Sequence, residues 1–184
     1  MTASSKIKHE TRGKINLGQT TISAAYITAA LVVLFTAQLH NNLAFDVVLL
    51  LGSFIIFSLA RAGQLMLNRR AKAGGFALIG LSIAVDLVAA LTLLILGGTV
   101  VSVTTGLLIW LAGMTVVRVL ALLKDAATPV KELRVATVFT LLATLAVFLV
   151  RADAIAAIGL FGAYTVVIGI FGMIAAFDHG RNVK

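Results

Sequence analysis

The chain has no cysteine and a single proline, Pro129, among its 184 residues. Without thiols it has no disulfide framework, no thiolate nucleophile and no cysteine-based metal site. With no proline inside any apolar run, nothing in the sequence points to the broken helices by which many transporters expose backbone to a solute. Charge is scarce too. Only 12% of residues are charged, about half the share in soluble domains. No glycine-rich phosphate loop, nucleophile elbow or HExxH motif is present. His9, His40 and His179 lie in three separate segments, so no pair sits at a depth suited to clamping haem or a metal. The chain is expected to be non-enzymatic, with no catalytic, cofactor-binding or metal-binding residues and no cofactor.

What fills the chain is apolar sequence. Hydrophobic residues make up 60% of it, and the mean hydropathy is +1.08. A bilayer's hydrocarbon core requires a helix of about 20 apolar residues, and six such runs occupy most of the length. The expected fold is all-α and polytopic. Spans are placed at about 22–39, 44–66, 74–96, 100–123, 132–150 and 154–177. They form a transmembrane unit over residues 21–178, with a basic tail at 1–20 and a short tail at 179–184. The lead before Ile22 is long and polar and no small-residue cleavage motif follows the first run, so that run reads as a retained span rather than a signal peptide. Thr128 and Pro129 suit the N-cap and first position of the fifth helix.

Fifteen basic residues against seven acidic ones give a formal charge of +8. In a soluble protein that excess would raise nucleic-acid binding. Here fourteen of the fifteen, from Lys6 through Arg61, Arg70, Arg118 and Arg134 to Lys184, fall on one side of the spans, and only Arg151 on the other. That distribution follows the positive-inside rule and predicts that both termini are cytoplasmic. Membrane lipids, not nucleic acid, are the expected surroundings, and the basic tail would be drawn to an anionic lipid surface.

Glycines punctuate the even-numbered spans. Gly106 and Gly113, like Gly162 and Gly169, lie seven residues apart and hence on one helix face; Gly52 precedes Gly106 by 54 residues, and Gly162 follows it by 56. In a membrane, helices associate by close approach at small residues rather than by burying leucine. These five glycines are therefore the expected helix-packing positions. Recurrence at such intervals predicts three parallel helical hairpins around a pseudo-threefold axis.

The residues Gly106, Gly113 and Arg118, Gly52 with Gln64, and Gly162 with Gly169 give the chain a pattern that resembles the HdeD-like family of small six-span membrane proteins. The likeness runs over nearly the whole chain by hydropathy, although the outer connections here carry no proline. It implies six spans, a bacterial inner membrane and a link to acid stress. It brings no catalytic residue with it.

Asp86 is the residue most open to a chemical role. It lies mid-way along the third span, where a carboxylate costs several kcal/mol unless it is paired or protonated. One reading makes it a proton- or ion-handling group. The other makes it a protonated carboxyl that fixes packing, bonded to Ser82 one turn earlier or to a neighbour's threonine. Arg61 and Arg118 are candidate partners, but helix rise puts them roughly 10 Å nearer the cytoplasm. Both are expected to snorkel to headgroups, or to meet an anionic lipid or a partner's carboxylate. His40, Asp46, Arg151 and Asp153 group at the outer surface, where Arg151 and Asp153 can neutralise each other. Trp110 and Tyr164 read as packing residues. Two functions remain. The first is a structural or accessory subunit docking on a larger membrane assembly, of which a respiratory complex is one conceivable host. The alternative is a small transporter or proton-linked stress protein working through Asp86.

Overall fold

Asn16 starts the first helix. Its Oδ1 accepts from the Gln19 backbone N–H at 3.1 Å, satisfying one of the donors a helix N-terminus leaves free. The computed structural model describes residues 16–67, 73–124 and 130–178. The basic tail, the Arg69–Lys72 connection, the expected Thr128–Pro129 cap and the C-terminal tail lie outside them. The described residues form six helices: α1 (Leu17–Phe35), α2 (Leu43–Leu67), α3 (Ala73–Leu96), α4 (Val100–Leu123), α5 (Val130–Leu149) and α6 (Ala154–Asp178). All six are long and apolar enough to cross a membrane, and no strand occurs among the described residues.

Polar side chains set the visible boundaries. Thr99 and Ser102 make a reciprocal capping box that opens α4. Asp153 Oδ1 accepts from the Ala156 N–H at 3.0 Å and opens α6. Gly97, with φ +71°, follows the last residue of α3 in the left-handed region that glycine enters without strain. Hydropathy alone placed the first span at 22–39. The helix starts five residues earlier because Asn16 caps it, and ends at Phe35, after which Ala37–Leu39 form a 3-10 turn.

The helices close a ring in chain order. α1 packs between α2 and α6, α3 between α2 and α4, and α5 between α4 and α6, while α4 also reaches α2 and α6 across the interior. Phe54 and Phe57 of α2, Trp110 of α4 and Phe161 of α6 meet at the centre, all fully buried. Trp110 stands within 5.6 Å, centroid to centroid, of each of the other three.

The outside is apolar, and buried charge lies inside. Leu87, Leu91, Leu94 and Ile95 of α3 are all more than half exposed, while Arg61 and Asp86 are buried. A soluble protein could not present so much contiguous apolar surface to water; in lipid it is the ordinary arrangement. The chain is a multi-pass membrane protein by this architecture.

The glycines are used unequally. A Cβ on Gly106 would lie 2.7 Å from Leu93, and one on Gly113 would lie 2.6 Å from Val85, both on α3. Those on Gly162 and Gly169 would lie 2.8 Å from Val33 and 2.7 Å from Ile27, both on α1. The α4 seam thus joins a hairpin to itself, whereas the α6 seam joins the last hairpin to the first. A threefold axis cannot relate these two seams, so the expected equivalence of the glycine faces is absent. Gly52 has nothing within 4 Å of its Cβ position.

Candidate functional site

Arg61 and Asp86 form an ion pair in the middle of the bundle, 4% and 0% exposed. Asp86 Oδ1 accepts from Trp110 Nε1 at 2.8 Å. Its Oδ2 accepts from Arg61 Nη1 and, at 3.4 Å, from Ser58 Oγ. Arg61 Nη2 donates to Tyr26 Oη and lies 3.6 Å from Met114 Sδ. The carboxylate is therefore engaged on both oxygens from two neighbouring helices, α2 and α4, and Tyr26 of α1 joins through Arg61.

This pairing makes Arg61, one of the two candidate partners, the partner of Asp86 and corrects the expectation that it snorkels to headgroups. Cα–Cβ bonds lean toward the N-terminus of their own helix. α2 and α3 run in opposite directions, so Arg61 and Asp86 lean toward each other, and the arginine's long stem spans what remains. Ser82 does not reach Asp86. Its hydroxyl donates back to the Leu78 carbonyl at 2.9 Å, the usual way a span keeps a serine satisfied.

A smaller polar group repeats the motif nearby. Arg118 Nη2 donates to Tyr164 Oη at 3.3 Å, and Tyr164 Oη lies 3.1 Å from Thr140 Oγ1. Trp110 with Asp86 and Tyr164 with Thr140 each span 24 residues. The two pairs are 54 residues apart, the interval from Gly52 to Gly106.

Between these groups lies a cavity of about 200 Å³. It is built at the end of the bundle that gathers the start of α1, the ends of α2, α4 and α6, and the start of α5. Tyr26 and Arg61 form its deep side, and Gln19, Ser23, Gln64, Arg118 and Glu132 add polar lining. Gly172 also lines it; a Cβ there would stand 2.4 Å from Ser23 Oγ, so glycine lets α6 approach α1 at this point. Two buried oxygens facing this region, Ser23 Oγ and Glu132 Oε2, have no hydrogen-bond partner among the described residues. Arg118 has no carboxylate within 4 Å among the described residues.

A second hollow opens on the outer face between α1 and α2. Ala25, Thr28, Ala29, Leu49, Gly52 and Ser53 are among its walls, and its lining is almost wholly apolar. Of the five glycines singled out in the sequence, Gly52 alone has its small-residue notch unfilled by the described residues.

The outer-surface group resolves into separate structural roles. His40 is 5% and Asp46 0% exposed. His40 Nδ1 lies 2.6 Å from Asp46 Oδ1, and Nε2 lies 3.1 Å from the Val33 carbonyl. The imidazole thus bridges the Asp46 carboxylate and a backbone carbonyl. It ties the end of α1 to the start of α2. Arg151 stacks on Phe148 at 4.6 Å instead of pairing with Asp153, which caps α6. No group of three or more His, Asp or Glu among the described residues could hold a metal ion.

Tyr26, Ser58, Trp110, Thr140 and Glu132 were not singled out by sequence as polar partners. Trp110 and Tyr164 carried the available signal, since an aromatic with a polar tip placed mid-span needs an acceptor. No family model matches the chain, and no curated protein or solved structure matches it significantly.

Proposed function

We propose that the protein is a non-enzymatic accessory subunit that docks laterally on a larger membrane assembly through the α1–α2 face. The observation that carries this reading is the unfilled notch at Gly52. Four of the five glycines are occupied by Leu93, Val85, Val33 and Ile27 of this chain. The fifth opens toward lipid in a hollow walled by Ala25, Ala29 and Ser53, the kind of small-residue surface against which membrane helices pack closely. Asp86 supports the same reading. Both its oxygens are held, and the fully buried Phe54, Phe57, Trp110 and Phe161 fill the bundle beyond it.

The basic flanks support cytoplasmic termini, and the sequence pattern supports an HdeD-like bacterial inner-membrane protein. The matching Asp86–Trp110 and Thr140–Tyr164 pairs support descent of the last two hairpins from one ancestral unit. The alternative, a proton-linked transporter using Asp86, draws on the polar cavity that ends at Arg61.

Gentle extraction with a C-terminal tag, followed by mass spectrometry, separates the two. Docking predicts stoichiometric larger membrane subunits with the wild type and their loss with Gly52→Leu, at unchanged bundle stability. Recovery of the wild type alone, or co-purification indifferent to Gly52→Leu, contradicts it.

A further inference from the structure

We infer that the cavity between α1, α2, α4, α5 and α6 binds a small zwitterion, with its phosphate or carboxylate on Arg118 and its ammonium on Glu132. The charge pattern selects this ligand class. Arg61 faces the cavity but is already neutralised by Asp86. Among the described residues that leaves one cation, Arg118, on α4 and one anion, Glu132, on α5. No salt bridge joins them. An anion alone would meet Glu132, and a cation alone would meet Arg118. A molecule carrying both charges satisfies each.

The unpartnered atoms point the same way. Among the described residues Glu132 Oε2 is buried with no donor, and Ser23, 1% exposed, holds a hydroxyl with no partner. A buried polar atom left unpaired costs free energy that a bound donor or acceptor recovers. Arg118 spends Nη2 on Tyr164, which fixes the guanidinium, and its other N–H groups, with no partner among the described residues, can donate to an oxyanion in a forked geometry. Gln19 and Gln64 add amides on two further sides. The volume, about 200 Å³, exceeds what a single water requires, about 10–15 Å³. The same chemistry is found in an aminophospholipid headgroup and in a free zwitterion.

The test is native mass spectrometry of the full chain in detergent. The probes are phosphatidylethanolamine, phosphatidylglycerol and soluble glycerophosphoethanolamine, each measured separately. Phosphatidylethanolamine retained over phosphatidylglycerol, with Glu132→Gln weakening it about tenfold and Arg118→Gln weakening both lipids, establishes the site. Glycerophosphoethanolamine competing with the lipid shows that a free zwitterion suffices; retention of the lipid without competition assigns the ligand to the bilayer. Both substituted side chains are only partly buried, and thermal unfolding of each variant checks that the bundle is intact. Retention of neither ethanolamine probe, or equal retention of both lipids with Glu132→Gln indifferent, overturns the proposal.

Discussion

Asp86 and Arg61 are each expensive in a span, about 2.5–3.5 kcal/mol apiece on an insertion scale, and each is tolerated because of the other. Removing one charge strands its partner in a buried site, a change that costs about 3–5 kcal/mol. Asp86→Asn should therefore lower stability in detergent by about 3 kcal/mol, read by denaturant titration. The double variant Arg61→Met/Asp86→Leu should recover most of that loss, because replacing both charges with apolar groups removes the stranded ion. Wild-type stability in Asp86→Asn would show that the pair is not what holds the four helices at that level. By contrast, neutral side-chain bonds between membrane helices average about 0.6 kcal/mol, so the loss of the Thr140–Tyr164 contact should be nearly silent. The sequence exposed the carboxylate and offered Arg61 and Arg118 as partners without choosing between them. Counting helix rise gives the height of each Cα along the bundle and omits the opposed lean of side chains on antiparallel neighbours, which closes the gap between Arg61 and Asp86.

At the scale of the helix, hydropathy located six spans and missed where the first begins, since polar Gln19, Thr20 and Thr21 belong to α1 by virtue of the Asn16 cap. Spacing identified the glycines that pack without revealing what packs on them. Gly106 and Gly113 receive α3, Gly162 and Gly169 receive α1, and Gly52 receives nothing from the described residues. Sequence periodicity describes one helix face at a time, whereas the choice of neighbour depends on the whole ring. The difference between sites sets the sign of a common substitution. Glycine to alanine gains up to about 1 kcal/mol of helix propensity where space is free. At Gly169 the new Cβ would also lie 3.1 Å from the Ile27 nitrogen and the Ser23 carbonyl oxygen, backbone atoms that cannot rotate aside. Gly169→Ala should lower the thermal midpoint, by overpacking worth about 1–3 kcal/mol, while Gly52→Ala should hold or raise it. A neutral Gly169→Ala would contradict the α1–α6 seam.

Taken as one molecule, the bundle is sealed at its aromatic centre, polar at one end and open along one flank. Its interior holds the charged pair that fixes four helices, its end holds the cavity, and its flank holds the notch that none of the described residues fills. Lateral docking is the use that leaves the interior unchanged, because the α1–α2 hollow can be covered from outside without disturbing Arg61 or Asp86. A photo-crosslinking residue placed at Val48, 66% exposed beside the hollow, tests this in intact membranes, with Leu142 on α5, 55% exposed, as the comparison. Docking predicts a discrete adduct with a membrane protein from position 48, its loss on adding Gly52→Leu, and lipid adducts alone from position 142. Lipid adducts alone from both positions would contradict it.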